Sequence, residues 1–377
     1  MRVRSAGRRY ATGVITMGLI SLLFSSCYLL RQGSALVGFQ LKAEPIDRLT
    51  DTRIYRNGEP VSETTVTFLN EVEHIRAFAS SELGLDTSRN YTSFVPTDRE
   101  TLAYVVNATG ELSFERKHWS WPFAGSFPYK GFFRESDAVR LADRLRDTGH
   151  DVWVRRVDAF STLGILRDPL YQFMESYDRY DLANMIIHEQ THATLFLRNQ
   201  VQFNEGLATF VGDVGARAYL HFAGASSDEL TRVDDVELDR EAIREVLANL
   251  RGQLTAVYES DMDPDAMRAE KQRVIDAVLQ HLRDSYDTLF RTDLYRSIPD
   301  LPVNNAFIDL FSAYTQDLSV FEELYKACGS SLPAMFDSLS VLAEPRRIED
   351  REQRQLARTD PVSFVRTVLL DEARGRR

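Results

Sequence analysis

His188, Glu189 and His192 fall in the order His-Glu-x-x-His, within the run Ile-His-Glu-Gln-Thr-His. On a helix, side chains four residues apart stand one above the other on the same face. Two imidazoles at that spacing can hold one zinc ion, and Glu189 beside the first can face a water on that ion. A metal lowers the pKa of such a water towards neutrality, and a carboxylate can then take its proton. The flanks read as a helix, with Leu182, Met185 and Ile186 before the motif and Leu195 and Phe196 after it. Met185-Ile186-Ile187 suits a helix buried against a core, and the pattern predicts an end near Arg198.

Catalytic zinc takes three protein ligands and keeps a fourth position open. Downstream lies Phe203-Asn204-Glu205-Gly206-Leu207-Ala208, where Asn204 is expected to cap a second helix with Glu205 in its first turn. The residues between His192 and Glu205 leave room for the chain to reverse. Glu205 is a candidate for the third ligand, its bland alternative being a carboxylate that merely complements a helix dipole. His221 is a rival ligand without a motif around it. An oxyanion formed during attack on a carbonyl needs a second donor besides the metal, and Tyr314 is the candidate. Its other reading is a core aromatic on an amphipathic helix.

The elements around these residues can be read from periodicity. Residues 67–83 have helical spacing, with Phe68, Leu69, Val72, Ile75 and Phe78 on one face and Gly84 as the stop. Residues 102–108 read as a strand, 136–147 as a helix closed by Gly149, and 152–160 as a second strand. The stretch 239–290 is dense in charge and splits near 261–264 into two helices, expected to form an antiparallel hairpin. Residues 304–326 read as one long helix, and the charged tail after Glu344 as loosely held.

The first thirty residues are of another kind. Arg2, Arg4, Arg8 and Arg9 precede an uncharged apolar stretch at 14–24, the length of a signal-peptide core and short for a membrane span. Ser25-Ser26-Cys27 follows and resembles a bacterial lipoprotein box, which implies acylation of Cys27 and a mature chain beginning there. An uncleaved anchor and ordinary secretory cleavage are the alternatives. Each places the rest of the chain outside the cytoplasm, and the first places it lipid-anchored on a membrane of the bacterial envelope.

Composition narrows the partners. With 377 residues, 45 Lys and Arg against 56 Asp and Glu, and a net charge of -11, the chain shows no basic stripe for nucleic acid. Cys27 and Cys328 are the two cysteines, too few for a disulfide scaffold or a thiolate zinc site, and Cys328 reads as a small residue in or near the core.

HExxH followed by NExxA resembles the thermolysin-like zinc peptidases, the gluzincins, whose third ligand is the Glu of a second helix. The ordered series WPFAGSFPYKGFF, GHDVWVRRVDAFSTLGILRDP, IIHEQTHATLF and FNEGLATFVG, with Asn304-Asn305-Ala306, resembles a family of bacterial proteins described as putative aminopeptidases, from about Cys27 to about Leu342. That resemblance implies a zinc peptidase with one Zn2+ held by His188, His192 and Glu205. It also implies that the segment Ser161-Thr162-Leu163-Gly164 lies where gluzincins carry a strand that binds substrate by backbone pairing. Two features depart from the pattern. Thr209 stands where thermolysin-like enzymes commonly have an Asp, and no GxMEN-type segment for a free amino terminus is present.

The expected architecture is a mostly helical α+β fold with a thermolysin-like core. A small mixed sheet from residues 100–165 would pack on the HExxH helix. The expected organisation is a signal peptide (1–27), a catalytic core (28–225), a charged hairpin (226–300), a helical completion of the core (301–345) and a charged tail (346–377). The expected activity is that of a zinc metallopeptidase, an aminopeptidase acting on peptides or proteins. An endopeptidase of envelope proteins, or a binding or chaperone-like lipoprotein with little catalysis, stand as alternatives.

Overall fold

The computed structural model describes residues 37–86, 90–121, 125–158, 167–312 and 318–375. In chain order the strands are Glu44–Pro45 (β1), Ser93–Val95 (β2), Ala103–Gly110 (β3), Trp119–Trp121 (β4), Gly125–Phe127 (β5), Tyr129–Phe132 (β6), His150–Val157 (β7) and Leu170–Tyr171 (β8). The first seven helices are Ile46–Thr52 (α1), Glu63–Ser81 (α2), Glu135–Arg146 (α3), Arg179–Thr194 (α4), Val201–Phe222 (α5), Ser227–Tyr258 (α6) and Pro264–Leu289 (α7). Asn305–Ser312 (α8), Ser319–Ala327 (α9), Leu332–Leu339 (α10), Arg351–Thr359 (α11), Pro361–Phe364 (α12) and Leu370–Gly375 (α13) follow. The protein is mostly helical with small sheets, in keeping with the α+β expectation.

Local chemistry sets several of these boundaries. Ser62 caps α2 by accepting from the Thr65 N–H, and Asp178 caps α4 by accepting from Asp181. Asp263 caps α7 with Pro264 in its first turn, which breaks the charged stretch into the two long helices. The first of them starts at Ser227, ahead of the charge-dense stretch at 239–290. Along it Ile243, Leu247, Leu250, Leu254 and Val257 are buried against Val274, Ile275, Leu282 and Tyr286 of α7 and Phe307 and Ile308 of α8. One acid in this charged region is wholly buried: Asp239 accepts from Arg291 N–H, Thr292 N–H and the Thr292 hydroxyl at 2.7–2.8 Å, closing the far end of the hairpin.

The sheet expected from residues 100–165 is antiparallel rather than mixed, in the order β6-β3-β7, with Val106 opposite Val154 and Lys130. Its Val106, Ala108, Phe132 and Val152 pack on Ala138, Ala142 and Leu145 of α3. Trp153 meets Phe307 of α8 edge-on at 4.7 Å. The mixed sheet that shares a core with α4 comes from residues distant in sequence, β1 antiparallel and β8 parallel to β2. Short hydrophobic pieces such as Phe94-Val95 and Leu170-Tyr171 carry too little periodicity to be paired from sequence.

The expected helix over 304–326 corresponds to α8 and α9, with 313–317 outside the described residues. Asn305 anchors α8. Its buried Nδ2 donates to the carbonyls of Gly110, Glu111 and Ser113 at 3.1–3.2 Å, and its Oδ1 accepts from the Tyr258 hydroxyl at 2.8 Å. The tail is also a correction. Ala357, Phe364, Val365, Leu369 and Leu370 are buried in the main core, so its charges occupy one side of an amphipathic segment whose other side is held. No helix among the described residues is long and apolar enough to cross a membrane.

Candidate metal centre

Helix α4 carries His188, Glu189 and His192, and α5 carries Glu205. The two helices make the most extensive helix–helix contact among the described residues, and two glycines let them approach. A Cβ on Gly212 would sit 3.2 Å from the Asn184 carbonyl and 3.4 Å from His188 Cβ. A Cβ on Gly215 would meet Ile187 Cγ2 at 2.8 Å. Fully buried Ile186 and Ile187 hold α4 in the core, each worth about 1.5–3 kcal/mol of burial. Close crossing brings a carboxylate of one helix to the imidazoles of the other.

The two imidazole rings lie 5.0 Å apart at 84°. His188 Nε2 is 3.7 Å from Glu205 Oε2, and His192 Nε2 is 3.6 Å from Glu205 Oε1. These separations are long for hydrogen bonds. They are close to the ~3.4 Å between two ligands that sit ~2.1 Å from one tetrahedral ion. One donor atom from each of the three residues lies within 4.8 Å of the others. The N, N, O donor set and its spacing thus fit a zinc ion.

Electrostatics favour the metal-binding protonation states. Burial, with His188 adding to it, lowers the His192 pKa and keeps its ring neutral. The His188 imidazole holds Glu205 below the usual carboxylate range despite partial burial. Burial raises the Glu189 pKa, countered in part by His188, which makes its carboxylate a stronger base than a solvated one. Among the described residues, His192 Nδ1 is buried without a hydrogen-bond partner, where a ligating imidazole normally donates to a carboxylate or carbonyl.

Asn204 is not the cap of its helix. α5 begins at Val201, after Asn199 has turned the chain with a φ of 65°, and Asn204 lies in its first turn. The buried Asn204 amide instead accepts from Leu197 N–H and donates to Leu197 C=O, both at 2.8 Å. It fastens the connection between the helices. α4 correspondingly ends at Thr194, earlier than the expected Arg198.

His221 lies in the last turn of α5, about 24 Å of helix from Glu205, and is not in the cluster. Cys27, the segment Ser161-Thr162-Leu163-Gly164 and Tyr314 lie outside the described residues. Sequence reasoning missed several neighbours. Asp213, two turns after Glu205, accepts from Asn184 Nδ2 at 2.6 Å and Tyr180 Oη at 3.2 Å, and so ties α5 to the turn before His188. Asp168 is pushed up to about 7 by burial and by the Glu189 charge. Buried Tyr91, raised by burial and by the same charge, donates its N–H to the Asp168 carbonyl at 2.7 Å. An Asp eight residues after the ligand Glu was the one available signal; the others have none.

A cavity of about 860 Å³ lies elsewhere, lined by Cys328, Ser338, Ile348, Phe364 and Leu369 among others, and shares no lining residue with the ligand cluster. Cys328 is half-buried and packs against the main core.

A family model described as "Putative aminopeptidase" matches residues 27–355. No curated protein and no solved structure matches significantly.

Proposed function

The chain belongs to this aminopeptidase family, and from that premise we propose that it is a zinc-dependent metallopeptidase whose ligands are His188, His192 and Glu205. The observation that carries the reading is the convergence of three metal-type donor atoms within 4.8 Å, with Glu189 beside them. Zinc bound there supplies Lewis-acid polarisation of a peptide carbonyl and a lowered pKa for water.

The chain's own residues do the rest. Glu189 takes the proton of the attacking water, which its raised pKa favours, and passes it to the leaving amine. Burial lowers the pKa of His192 and His188 lowers that of Glu205, and both shifts favour the forms that donate to a metal. The Asn184–Asp213 bond and the Asn204 clamp hold the two helices and their connection in register. Tyr314 is proposed as the donor to the oxyanion, and segment 161–164 as the strand that pairs with an extended substrate. Cys27 is proposed as a lipidated anchor that holds the catalytic domain at a membrane of the bacterial envelope.

The test pairs metal content with peptide hydrolysis for the parent and a Glu189→Gln variant. One zinc in each, with turnover about 10²–10⁴-fold lower in the variant, is the expected result. Absence of zinc from the parent, or equal turnover, would refute the reading. N-acetylated peptides decide the mode of attack, since an aminopeptidase leaves them intact and an endopeptidase does not.

A further inference from the structure

Two large apolar side chains stand exposed beside the ligand cluster, each adjoining a different ligand. The Phe196 ring is 53% exposed and lies edge-on to the His192 ring at 6.2 Å. Val201 is 64% exposed and sits one turn before Glu205 on α5. Residues four apart share a helix face, and a helical side chain leans back over the preceding turn, so Glu205 reaches across the turn that carries Val201.

Their exposure is imposed by the backbone and is not loop slack. Leu195 and Leu197, on either side of Phe196, are buried. Leu195 is extended, with φ −141° and ψ 116°, so Phe196 must face away from the core. Asn204 then pins both backbone polar groups of Leu197 at 2.8 Å. The result is a pair of exposed apolar side chains, Phe196 beside the His192 ring and Val201 one turn before Glu205. Two side chains are far too little for a stable protein interface, which buries about 1,200–2,000 Å². They match one side chain of an extended peptide.

We propose that Phe196 and Val201 are specificity-determining residues that receive an aliphatic or aromatic substrate side chain adjoining the scissile bond. This inference rests on the metallopeptidase reading above. The chemistry is simple: an apolar side chain gains by leaving water against these residues, and a charged one does not.

The experiment uses the zinc-loaded full-length protein and matched peptides with Leu, Phe, Gly or Asp on either side of the bond. kcat/KM is measured for the parent, Phe196→Ala, Val201→Ser and Phe196→Leu. Affinities for leucine hydroxamate and glycine hydroxamate are measured by calorimetry as a readout independent of turnover. The parent should prefer Leu and Phe to Gly and Asp at one position by about tenfold or more. Phe196→Ala and Val201→Ser should remove most of that preference, and the leucine hydroxamate advantage with it, through KM and with zinc content unchanged. Phe196→Leu should retain it. Cleavage without a preference, or a preference unmoved by both truncations, overturns this inference alone. Failure of the parent to cleave any peptide overturns the peptidase reading and this inference together.

Discussion

Replacing Gly215 with alanine tests whether the close crossing of α4 and α5 builds the candidate metal centre. The added Cβ would lie 2.8 Å from Ile187 Cγ2, 2.9 Å from Leu83 Cδ1 and 3.1 Å from Ile187 Cδ1. Leu83 Cδ1 is a chain end that can swing aside. Ile187 Cγ2 cannot, because it branches from the Cβ of a fully buried residue with a restricted χ1. Helix α4 itself must therefore move. Overpacking of this kind costs about 1–3 kcal/mol. Against it stands the helix-propensity gain of Gly→Ala, about 1 kcal/mol. Gly252, exposed on α6 with nothing within 4 Å of a Cβ, isolates that gain. Gly252→Ala should raise the melting temperature, and Gly215→Ala should fall below Gly252→Ala by about 1–3 kcal/mol. For a chain of this size that is a separation on the order of 2–5 °C by calorimetry. Because Ile187 adjoins His188, zinc affinity should drop in Gly215→Ala alone. Two variants with the same melting temperature and the same affinity would refute the crossing argument.

Asn204→Ala should destabilise by about 1–3 kcal/mol, read by chemical denaturation, because the buried Leu197 N–H loses its acceptor while its carbonyl keeps Gln200 N–H. Asp168 has a folded pKa of about 7 against an ordinary 3.8, so the folded protein binds its proton more tightly than the unfolded chain does. In the zinc-free protein this stabilising contribution is present in acid and is lost as pH rises from about 4 to about 7. Asp168→Asn should accordingly show a shallower fall of melting temperature across that window, and parallel curves would contradict the assignment. Chelation should abolish turnover while leaving the far-ultraviolet circular dichroism unchanged, because core packing, not the ion, holds both ligand helices. A cooperative loss of helix on chelation would show the opposite.

Local geometry explains why part of the centre was legible in the residues alone. His188, Glu189 and His192 lie within one turn of a single helix, and helical geometry by itself fixes which face they share. The break near 261–264 was readable for the same reason, as was the pairing of the two long charged helices through Ile243, Leu247, Leu250 and Leu254. Glu205 became a candidate ligand only through its motif, because nothing local brings α5 to α4.

Tertiary structure decided the remainder. Asn204 has the side chain of a helix cap, but the φ of 65° at Asn199 lets α5 start earlier and turns that amide onto Leu197. The charged tail is held because Phe364, Val365 and Leu369 find the main core, a contact with no signature in charge density. The separation of Glu205 from the two imidazoles depends on missing side chains at Gly212 and Gly215, whose effect exists only where another helix lies against them. Spacing along one helix is a property of the chain, whereas spacing between two helices is set by what packs between them.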